Sequence, residues 1–308
     1  MGGGRAVCGC RPGDGAVSGL SERRLTAGKI RPIRYRLFTP QPAPHLAAPL
    51  VVALHGCAQD AGDFAVATRF DRVAQRAGAY VVYPEQSPLA NSRRCWNWFT
   101  PEHQLRTGGE PAAILRLIEN LCAQHPVDPG RIFVCGFSAG AVMAAILAEQ
   151  APDVFGAVAT MAGVPLHAAH DLMSAQALMA GARSVAPSLH AAFPSRAYRR
   201  LRAMIWQGAS DDIVAPINAT LLVQQFLDLC GQNGVSPHVD HRGDVEIRRW
   251  RDPVDDIVRV EEWRVAGMRH AWSGGSPRAA FTWPPGPHAS EETMAFFLRH
   301  PLVRRETA

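Results

Sequence analysis

The sequence predicts an α/β protein built around a mostly parallel sheet. Short, continuous apolar runs recur along the chain, and such runs are typical of strands that are covered by helices on both faces. Helix-length segments separate the runs, and this alternation implies right-handed βαβ units. The 308 residues contain no internal repeat and no linker rich enough to split the chain, so one large domain is expected.

The predicted elements follow one another in a regular order. Strands are predicted at residues 33–39, 50–54, 79–83, 132–135, 154–161 and 204–206. Helices are predicted at residues 64–77, 111–123, 139–151 and 217–230. Residues 107–110, Thr-Gly-Gly-Glu, form a candidate capping box for the second helix.

Three segments depart from this alternation. Residues 1–28 have no apolar periodicity and are predicted to be a flexible leader before a single catalytic domain of residues 29–308. Residues 167–200 are predicted to form a helical excursion over one end of the domain. Residues 245–250 and 258–265 flank an Asp-Pro turn and predict an antiparallel hairpin at one edge of the sheet.

Composition and charge exclude several classes of function. The formal net charge is +5, and only one of the 32 basic residues, Lys29, is a lysine. The arginines are scattered singly or in pairs, so nucleic acid is not the expected partner. The longest uncharged apolar stretch, residues 132–148, is shorter than a typical membrane span and has glycines at its centre, so no membrane span is expected.

The cysteines and the N-terminal segment set further expectations. The seven cysteines are spread along the chain and form no CxxC pair, so no metal site is predicted. The first 20 residues lack the apolar run of a secretory signal. A cytoplasmic location is therefore predicted, and the oligomeric state is left open.

The pentapeptide Gly136-Phe137-Ser138-Ala139-Gly140 is the strongest chemical signal in the sequence. It lies between a predicted strand and a predicted helix, as a nucleophile elbow requires, and the flanking glycines permit a very tight turn. The helix N-terminus would offer backbone N–H groups to a developing negative charge. The alternative is a glycine-flanked serine in an ordinary strand-to-helix turn.

A serine nucleophile needs a histidine base that a carboxylate holds in one tautomer. In hydrolases with this elbow the chain order is serine, acid, histidine. Adjacent Asp211 and Asp212 follow the predicted strand at residues 204–206 and compete for the role of the acid. Topology favours His270 as the base, because it follows the last predicted strand; His288 and His300 are its rivals.

Two backbone amides are predicted to form an oxyanion hole. One is the amide of Ala139, directly after the serine. The second should come from the loop after the strand at residues 50–54, where His55-Gly56-Cys57 lies. The thiol of Cys57 is not needed as a nucleophile, so its backbone amide is the expected contribution.

Five motifs in this order resemble the polyhydroxybutyrate depolymerase family of esterases, which is similar to feruloyl and acetylxylan esterases. The motifs are His55-Gly-Cys-Ala-Gln59, Tyr83-Pro-Glu-Gln86, Cys95-Trp-Asn-Trp-Phe99, the serine pentapeptide and residues 267–275. The resemblance implies an α/β-hydrolase fold, no cofactor and a triad of Ser138, Asp211 and His270. It favours Asp211 over Asp212 because the family pattern Gly-x-x-Asp-x-x-Val matches residues 208–214.

The resemblance also implies a substrate and a pocket. A serine carboxylic-ester hydrolase is expected, acting on poly(3-hydroxybutyrate)-type polyester, its oligomers or short-chain esters. The alternatives are a feruloyl or acetylxylan esterase, a serine peptidase or acyltransferase, and a catalytically silent binding protein. Trp96, Trp98 and Trp272 are the predicted pocket walls, with core packing as the alternative. The resemblance also places Cys57 and Cys95 around the site; in a reducing cytoplasm they would remain thiols, and whether they form a disulfide is left open.

Arg269 departs from the family pattern. It replaces the usual small residue before the histidine and brings a cation next to the imidazole.

Overall fold

The computed structural model describes residues 20–24, 33–182 and 198–302. In these residues ten strands form one sheet, and two short strands form a separate pair. The strands of the large sheet are β1 (Leu20–Arg24), β2 (Arg34–Phe38), β3 (Ala48–Leu54), β4 (Tyr80–Glu85), β5 (Val127–Phe137), β6 (Ala157–Met161), β7 (Ala203–Gly208), β8 (His238–Arg242), β9 (Val245–Arg251) and β10 (Val258–Val265). The small pair consists of β11 (Trp272–Ser273) and β12 (Thr282–Trp283).

The large sheet is parallel at its centre and antiparallel at both ends. Its strand order is β1-β2-β4-β3-β5-β6-β7-β10-β9-β8. All neighbouring pairs from β4 to β10 are parallel, whereas β2, β1, β9 and β8 join by antiparallel pairing. Each of the six strands predicted from apolar runs is confirmed, and so is the mostly parallel α/β class.

Seven α-helices flank the sheet in the described residues. They are α1 (Ala61–Thr68), α2 (Phe70–Ala77), α3 (Gly109–Gln124), α4 (Ala139–Gln150), α5 (Leu172–Met179), α6 (Ile217–Cys230) and α7 (Ala289–Arg299). The single helix predicted at residues 64–77 is wrong, because Arg69 adopts a left-handed conformation with φ 54° and ends α1 before α2 begins. Two short 3₁₀ helices, Pro101–Gln104 and Tyr198–Arg200, lie in the connections.

The predicted hairpin is confirmed, but its position is not. β9 and β10 pair antiparallel, whereas β10 also pairs in parallel with β7 and therefore lies inside the sheet. The edge is formed by β8, which the sequence analysis missed. The side chains of β8 are mostly exposed, so the strand carries no apolar run by which it could be recognised.

Two further predictions about the elements need correction. Residues Leu20–Arg24, placed in the flexible leader, form a strand that pairs with β2; the other residues of the leader predicted at 1–28 lie outside the described part of the chain. The capping box at residues 107–110 is wrong, because Gly108 is the N-cap of α3 and has no side chain to accept a hydrogen bond. Of the predicted helical excursion, α5 is present, and residues 183–197 are not described.

The uncharged stretch at residues 132–148 lies at the centre of the molecule. It covers the end of β5, which lies between β3 and β6, and most of α4, whose residues Ala139 to Glu149 are all buried. Burial of a strand and a helix together explains why this stretch is apolar without periodicity. Among the described helices, none has both the length and the apolarity needed to cross a membrane.

Candidate active site

Ser138 lies in a sharp turn between β5 and α4. Its backbone has φ 54° and ψ −121°, and its N–H donates to the carbonyl of Met161 at 2.8 Å. A non-glycine residue with positive φ is strained, and such strain persists where the surroundings impose it. This conformation is that of a nucleophile elbow, which holds the serine side chain clear of both flanking elements.

The glycines on either side of Ser138 are required by close backbone contacts. A Cβ on Gly136 would lie 2.2 Å from the carbonyl oxygen of Gly140. A Cβ on Gly140 would lie 2.3 Å from the carbonyl oxygen of Leu54, the last residue of β3. The second contact presses the first turn of α4 against the loop that begins at His55.

Asp211 and His270 form a buried hydrogen-bonded pair. His270 Nδ1 lies 2.8 Å from Asp211 Oδ2, and both side chains are almost fully buried. The other carboxylate oxygen, Oδ1, accepts from the backbone N–H groups of Ile213 at 3.0 Å and Val214 at 2.8 Å. The Asp211 carboxylate is thereby fixed, and the Nε2 atom of His270 is the ring nitrogen left for chemistry.

Asp212 points elsewhere. Its carboxylate pairs with the guanidinium of Arg269, and both side chains are more than half exposed. The hydrogen bond from Arg269 lowers the pKa of Asp212. Arg269 is therefore turned toward this surface ion pair, and of the two aspartates Asp211 is the one that contacts His270.

Ser138 and His270 line one cleft of about 610 Å³. The ring of Phe137 packs against the imidazole of His270 with the two centroids 4.7 Å apart. A cleft of this volume suits a small organic molecule. The remaining lining residues are Cys57, Ala58, Asn91, Ser92, Arg93, Cys95, Trp98, Phe99, Leu172, Ala175, Gln176, Met179, Ile213 and Phe281.

The backbone amides of Cys57 and Ala139 are the candidate donors to an oxyanion. Cys57 lines the same cleft as Ser138, and Ala139 directly follows Ser138 as the first residue of α4. In the described part of the chain neither amide has a hydrogen-bond acceptor. Such N–H groups are available to donate to a developing oxyanion.

A disulfide joins Cys57 to Cys95. The sequence left open whether these two cysteines are joined, and thiols were expected only for a reducing cytoplasm, a location that stays a prediction. Both residues line the cleft, and the backbone N–H of the neighbouring Ala58 donates to the carbonyl of Arg93 at 2.7 Å. The covalent bond and this hydrogen bond fasten the loop carrying the Cys57 amide to the loop of residues 91–97.

His55 supports the same loop from inside, a role that the sequence analysis did not assign. Its Nε2 accepts from the backbone N–H of Gln86 at 3.1 Å, so the proton is on Nδ1, which donates to the carbonyl of Gly56 at 2.7 Å. Complete burial lowers the pKa of His55 to about 4, which keeps the ring neutral. Its own carbonyl accepts from Trp96 Nε1 at 3.1 Å.

Glu110 supports the loop of residues 91–97. Its carboxylate accepts from the backbone N–H of Asn97 at 2.8 Å, from the side-chain amide of Asn97 at 2.7 Å and from the side chain of Gln86. Burial raises the pKa of Glu110. The sequence signal was present, since Glu110, Asn97 and Gln86 all occur in or beside the recognised motifs, but nothing in it indicated that they meet.

Of the three tryptophans predicted to line the pocket, Trp98 does so. Trp96 is fully buried and donates to His55, and Trp272 is buried against the ring of Phe64 with its Nε1 donating to Ser290 at 3.1 Å. The predicted pocket role of Trp96 and Trp272 is therefore corrected to core packing. Phe99, Phe137 and Phe281 supply the other aromatic walls of the cleft.

A second cleft, of about 660 Å³, lies beside β8, β9 and the end of α7. Its lining includes five arginines and His300 but no serine or cysteine. Among the described residues no group of three or more His, Cys, Asp or Glu side chains could hold a metal ion.

The fold and the elbow define an α/β-hydrolase of the esterase class. Among solved structures, the chain is similar to an acetyl xylan esterase from Aspergillus awamori, with a TM-score of 0.73 over 90% of this chain and 98% of that chain at 19% identity. The sequence comparison is more specific: the model of the family described as Esterase PHB depolymerase matches residues 33–248. The chain belongs to this family.

Two sequence relatives illustrate the range of the family. The chain is 34% identical to poly(3-hydroxyalkanoate) depolymerase C of Paucimonas lemoignei over 72% of this chain and 55% of that protein. It is 27% identical to feruloyl esterase B of Neurospora crassa over 70% of this chain and 78% of that protein. The chain thus spans about half the length of the depolymerases that it matches.

Proposed function

We propose that this chain is a serine carboxylic-ester hydrolase that works through a Ser138–His270–Asp211 triad and an acyl-enzyme. One observation carries the proposal: the Asp211–His270 pair opens onto the same cleft as a serine held in a strained elbow. Membership of an esterase family supports it independently. A silent binding protein would have no need to maintain a buried, fully bonded carboxylate behind an imidazole.

The proposed mechanism assigns a separate role to each side chain of the triad and to the two backbone amides. Ser138 Oγ attacks the ester carbonyl carbon while His270 Nε2 takes its proton, and Asp211 stabilises the resulting imidazolium. The amides of Cys57 and Ala139 bind the negative oxygen of the tetrahedral intermediate. The bond between the carbonyl carbon and the alcohol oxygen then breaks, and His270 returns the proton to the leaving alcohol.

The second half of the reaction uses the same groups. Water gives a proton to His270 and attacks the acyl carbonyl, and collapse of the second intermediate restores Ser138 and releases the carboxylic acid. No cofactor takes part in these steps.

The substrate that we propose is a poly(3-hydroxybutyrate)-type polyester or its short oligomers. Support comes from the family and from the relative named as a poly(3-hydroxyalkanoate) depolymerase. The cleft walls of Trp98, Phe99 and Phe137 suit small apolar acyl units. A feruloyl ester is the second candidate, because feruloyl esterase B of Neurospora crassa is matched over more of its own length.

Turnover on matched substrates separates the two candidates. Initial rates per mole of enzyme are measured on 3-hydroxybutyrate trimer, amorphous polyester and methyl ferulate under one set of conditions, with Ser138→Ala as the blank. We expect the trimer or the polyester to be cleaved faster than methyl ferulate. A clear preference for methyl ferulate would overturn the polyester assignment and leave the triad intact, whereas equal rates in Ser138→Ala would overturn the triad.

A further inference from the structure

One residue of the active-site cleft carries a charge that the hydrolysis does not use. Arg93 lines the cleft, its side chain is exposed, and no carboxylate among the described residues lies within ion-pair distance of it. Two arginines adjacent in sequence to cleft residues differ, since Arg94 pairs with Asp60 and Arg269 pairs with Asp212. Among the described residues that line the cleft there is no Asp or Glu.

The backbone beneath Arg93 is fixed relative to the catalytic groups. Its N–H donates to Asn91 Oδ1 at 3.0 Å, and its carbonyl accepts from the N–H of Ala58 at 2.7 Å. The disulfide between Cys57 and Cys95 closes two residues further along. The backbone that carries the Arg93 side chain is therefore attached to the same loop that carries the Cys57 amide of the proposed oxyanion hole.

We propose that Arg93 binds a free carboxylate on the substrate, so that the preferred substrates are esters that also carry a carboxylate, such as hydroxyacid oligomers with a free acid end. The inference rests on the proposed ester hydrolysis and deepens it. A planar guanidinium recognises a carboxylate through two parallel hydrogen bonds. The lining of the cleft is mostly apolar, and a less polar surrounding strengthens the attraction between the two charges.

The selectivity has a chemical consequence for polyester breakdown. Each hydrolysis adds water across one ester bond and leaves a new carboxylic acid on the acyl fragment, which ionises at neutral pH. The acyl fragment therefore carries the group that Arg93 recognises, and the alcohol fragment keeps the free acid end of a parent chain that has one. The preferred substrates are short, soluble, acid-ended oligomers rather than the interior of a neutral polymer.

The experiment compares 3-hydroxybutyrate trimer with its methyl ester, which removes the charge and keeps the ester bonds. For the wild type we expect kcat/KM to be about tenfold higher for the free-acid trimer than for its methyl ester, mostly through a lower KM. A charge-assisted hydrogen bond between partly exposed groups has about this effect on binding. Arg93→Gln should reduce this ratio to about one, and Arg93→Lys should restore part of it. Arg72→Gln, an exposed arginine of α2 that does not line the cleft, serves as the matched control and should keep the wild-type ratio.

A neutral substrate separates failure of this inference from failure of the proposed function. p-Nitrophenyl butyrate has no carboxylate, so Arg93→Gln should lose much less kcat/KM on this ester than on the free-acid trimer, and its turnover of the ester also shows that the variant folds. No turnover of any ester by the wild type would overturn the proposed function and this inference together. Turnover with equal kcat/KM for the trimer and its methyl ester, or an unchanged ratio in Arg93→Gln, would overturn the inference alone.

Discussion

Asp211 and Asp212 are neighbours in sequence but face different environments. The Asp211 carboxylate is buried and accepts hydrogen bonds from His270, from two backbone amides and from Gln207. The Asp212 carboxylate is exposed and pairs with Arg269. Both residues lie in the loop that follows β7, where backbone hydrogen bonds hold the Asp211 carboxylate inward and the ion pair holds that of Asp212 at the surface.

This difference predicts unequal effects of two conservative substitutions. Asp211→Asn keeps the shape but favours the wrong tautomer of His270, and in related triads this change lowers turnover by about 10⁴. Asp212→Asn should change turnover by less than about threefold, because a surface ion pair contributes little. The measurement is kcat on p-nitrophenyl butyrate for both variants. A larger loss in Asp212→Asn would mean that the base is oriented by the other carboxylate.

The buried neutral His55 predicts a pH dependence of stability. Its pKa is about 4 in the folded protein against 6.5 in an exposed histidine, so the unfolded chain binds more protons between these values. The stabilisation is complete above pH 6.5 and is lost as the pH falls toward 4. The expected loss from this residue is on the order of 3 kcal/mol.

The test measures the free energy of unfolding by urea from pH 7 to pH 4. His300 has its pKa lowered to about 4 by burial and contributes in the same direction, so the comparison of variants isolates His55. His55→Asn should have a shallower slope than the wild type. His238→Asn, an exposed histidine of β8, is the control and should keep the wild-type slope. Equal slopes in all three proteins would show that His55 titrates normally in the folded state.

At the scale of elements, the site is assembled by loops that are in direct backbone contact. Gly140 brings α4 against the end of β3, and Gly208 brings the end of β7 against the loop before His270, where a Cβ would lie 2.3 Å from the carbonyl oxygen of Met268. A larger residue at either position would separate two of the catalytic elements. The sequence pattern explained the glycines of the elbow by the tightness of that turn. The contacts of Gly140 and Gly208 with neighbouring loops are tertiary and could not be predicted from local sequence.

The disulfide between Cys57 and Cys95 predicts coupled losses of stability and activity. Its two cysteines are 38 residues apart, and closing such a loop stabilises the folded state by about 4 kcal/mol in the chain-entropy model. The double variant Cys57→Ser/Cys95→Ser should lose about this much in urea unfolding. Its kcat should also fall about tenfold, because the Cys57 amide loses part of its fixed position.

The control for this prediction is Cys122→Ser, which alters a partly buried cysteine of α3 that does not line the cleft. It should leave kcat within about twofold of the wild type. A double variant with unchanged kcat would mean that the backbone contact between Ala58 and Arg93 alone holds the amide in place.

For the whole molecule, sheet order explains how distant residues meet. Ser138, Asp211 and His270 follow β5, β7 and β10, and these strands run parallel with only β6 between the first two. The carboxyl ends of parallel strands lie at one edge of the sheet, so the loops after them converge. This part of the site could be predicted from the sequence because both the motifs and the strand order are local or topological features.

Other features of the whole molecule could not be predicted. The polar edge strand β8 lacks an apolar pattern, and the roles of Trp96 and Trp272 depend on which side of a loop faces the core. The disulfide depends on two loops from different parts of the chain coming together, which spacing alone does not reveal. That Arg93 has no carboxylate partner among the described residues likewise depends on tertiary contacts, since the nearby Asp60 pairs with Arg94.

The central claim, that Ser138 is an activated nucleophile, is tested most directly by covalent labelling. Purified, folded protein is treated with a fluorophosphonate, and the modified residue is identified by mass spectrometry of peptides. We expect one equivalent of label on Ser138, a rate of labelling that falls strongly in His270→Ala, and no label in Ser138→Ala. Folded wild-type protein that takes up no label, or that is labelled at another residue, would contradict the claim.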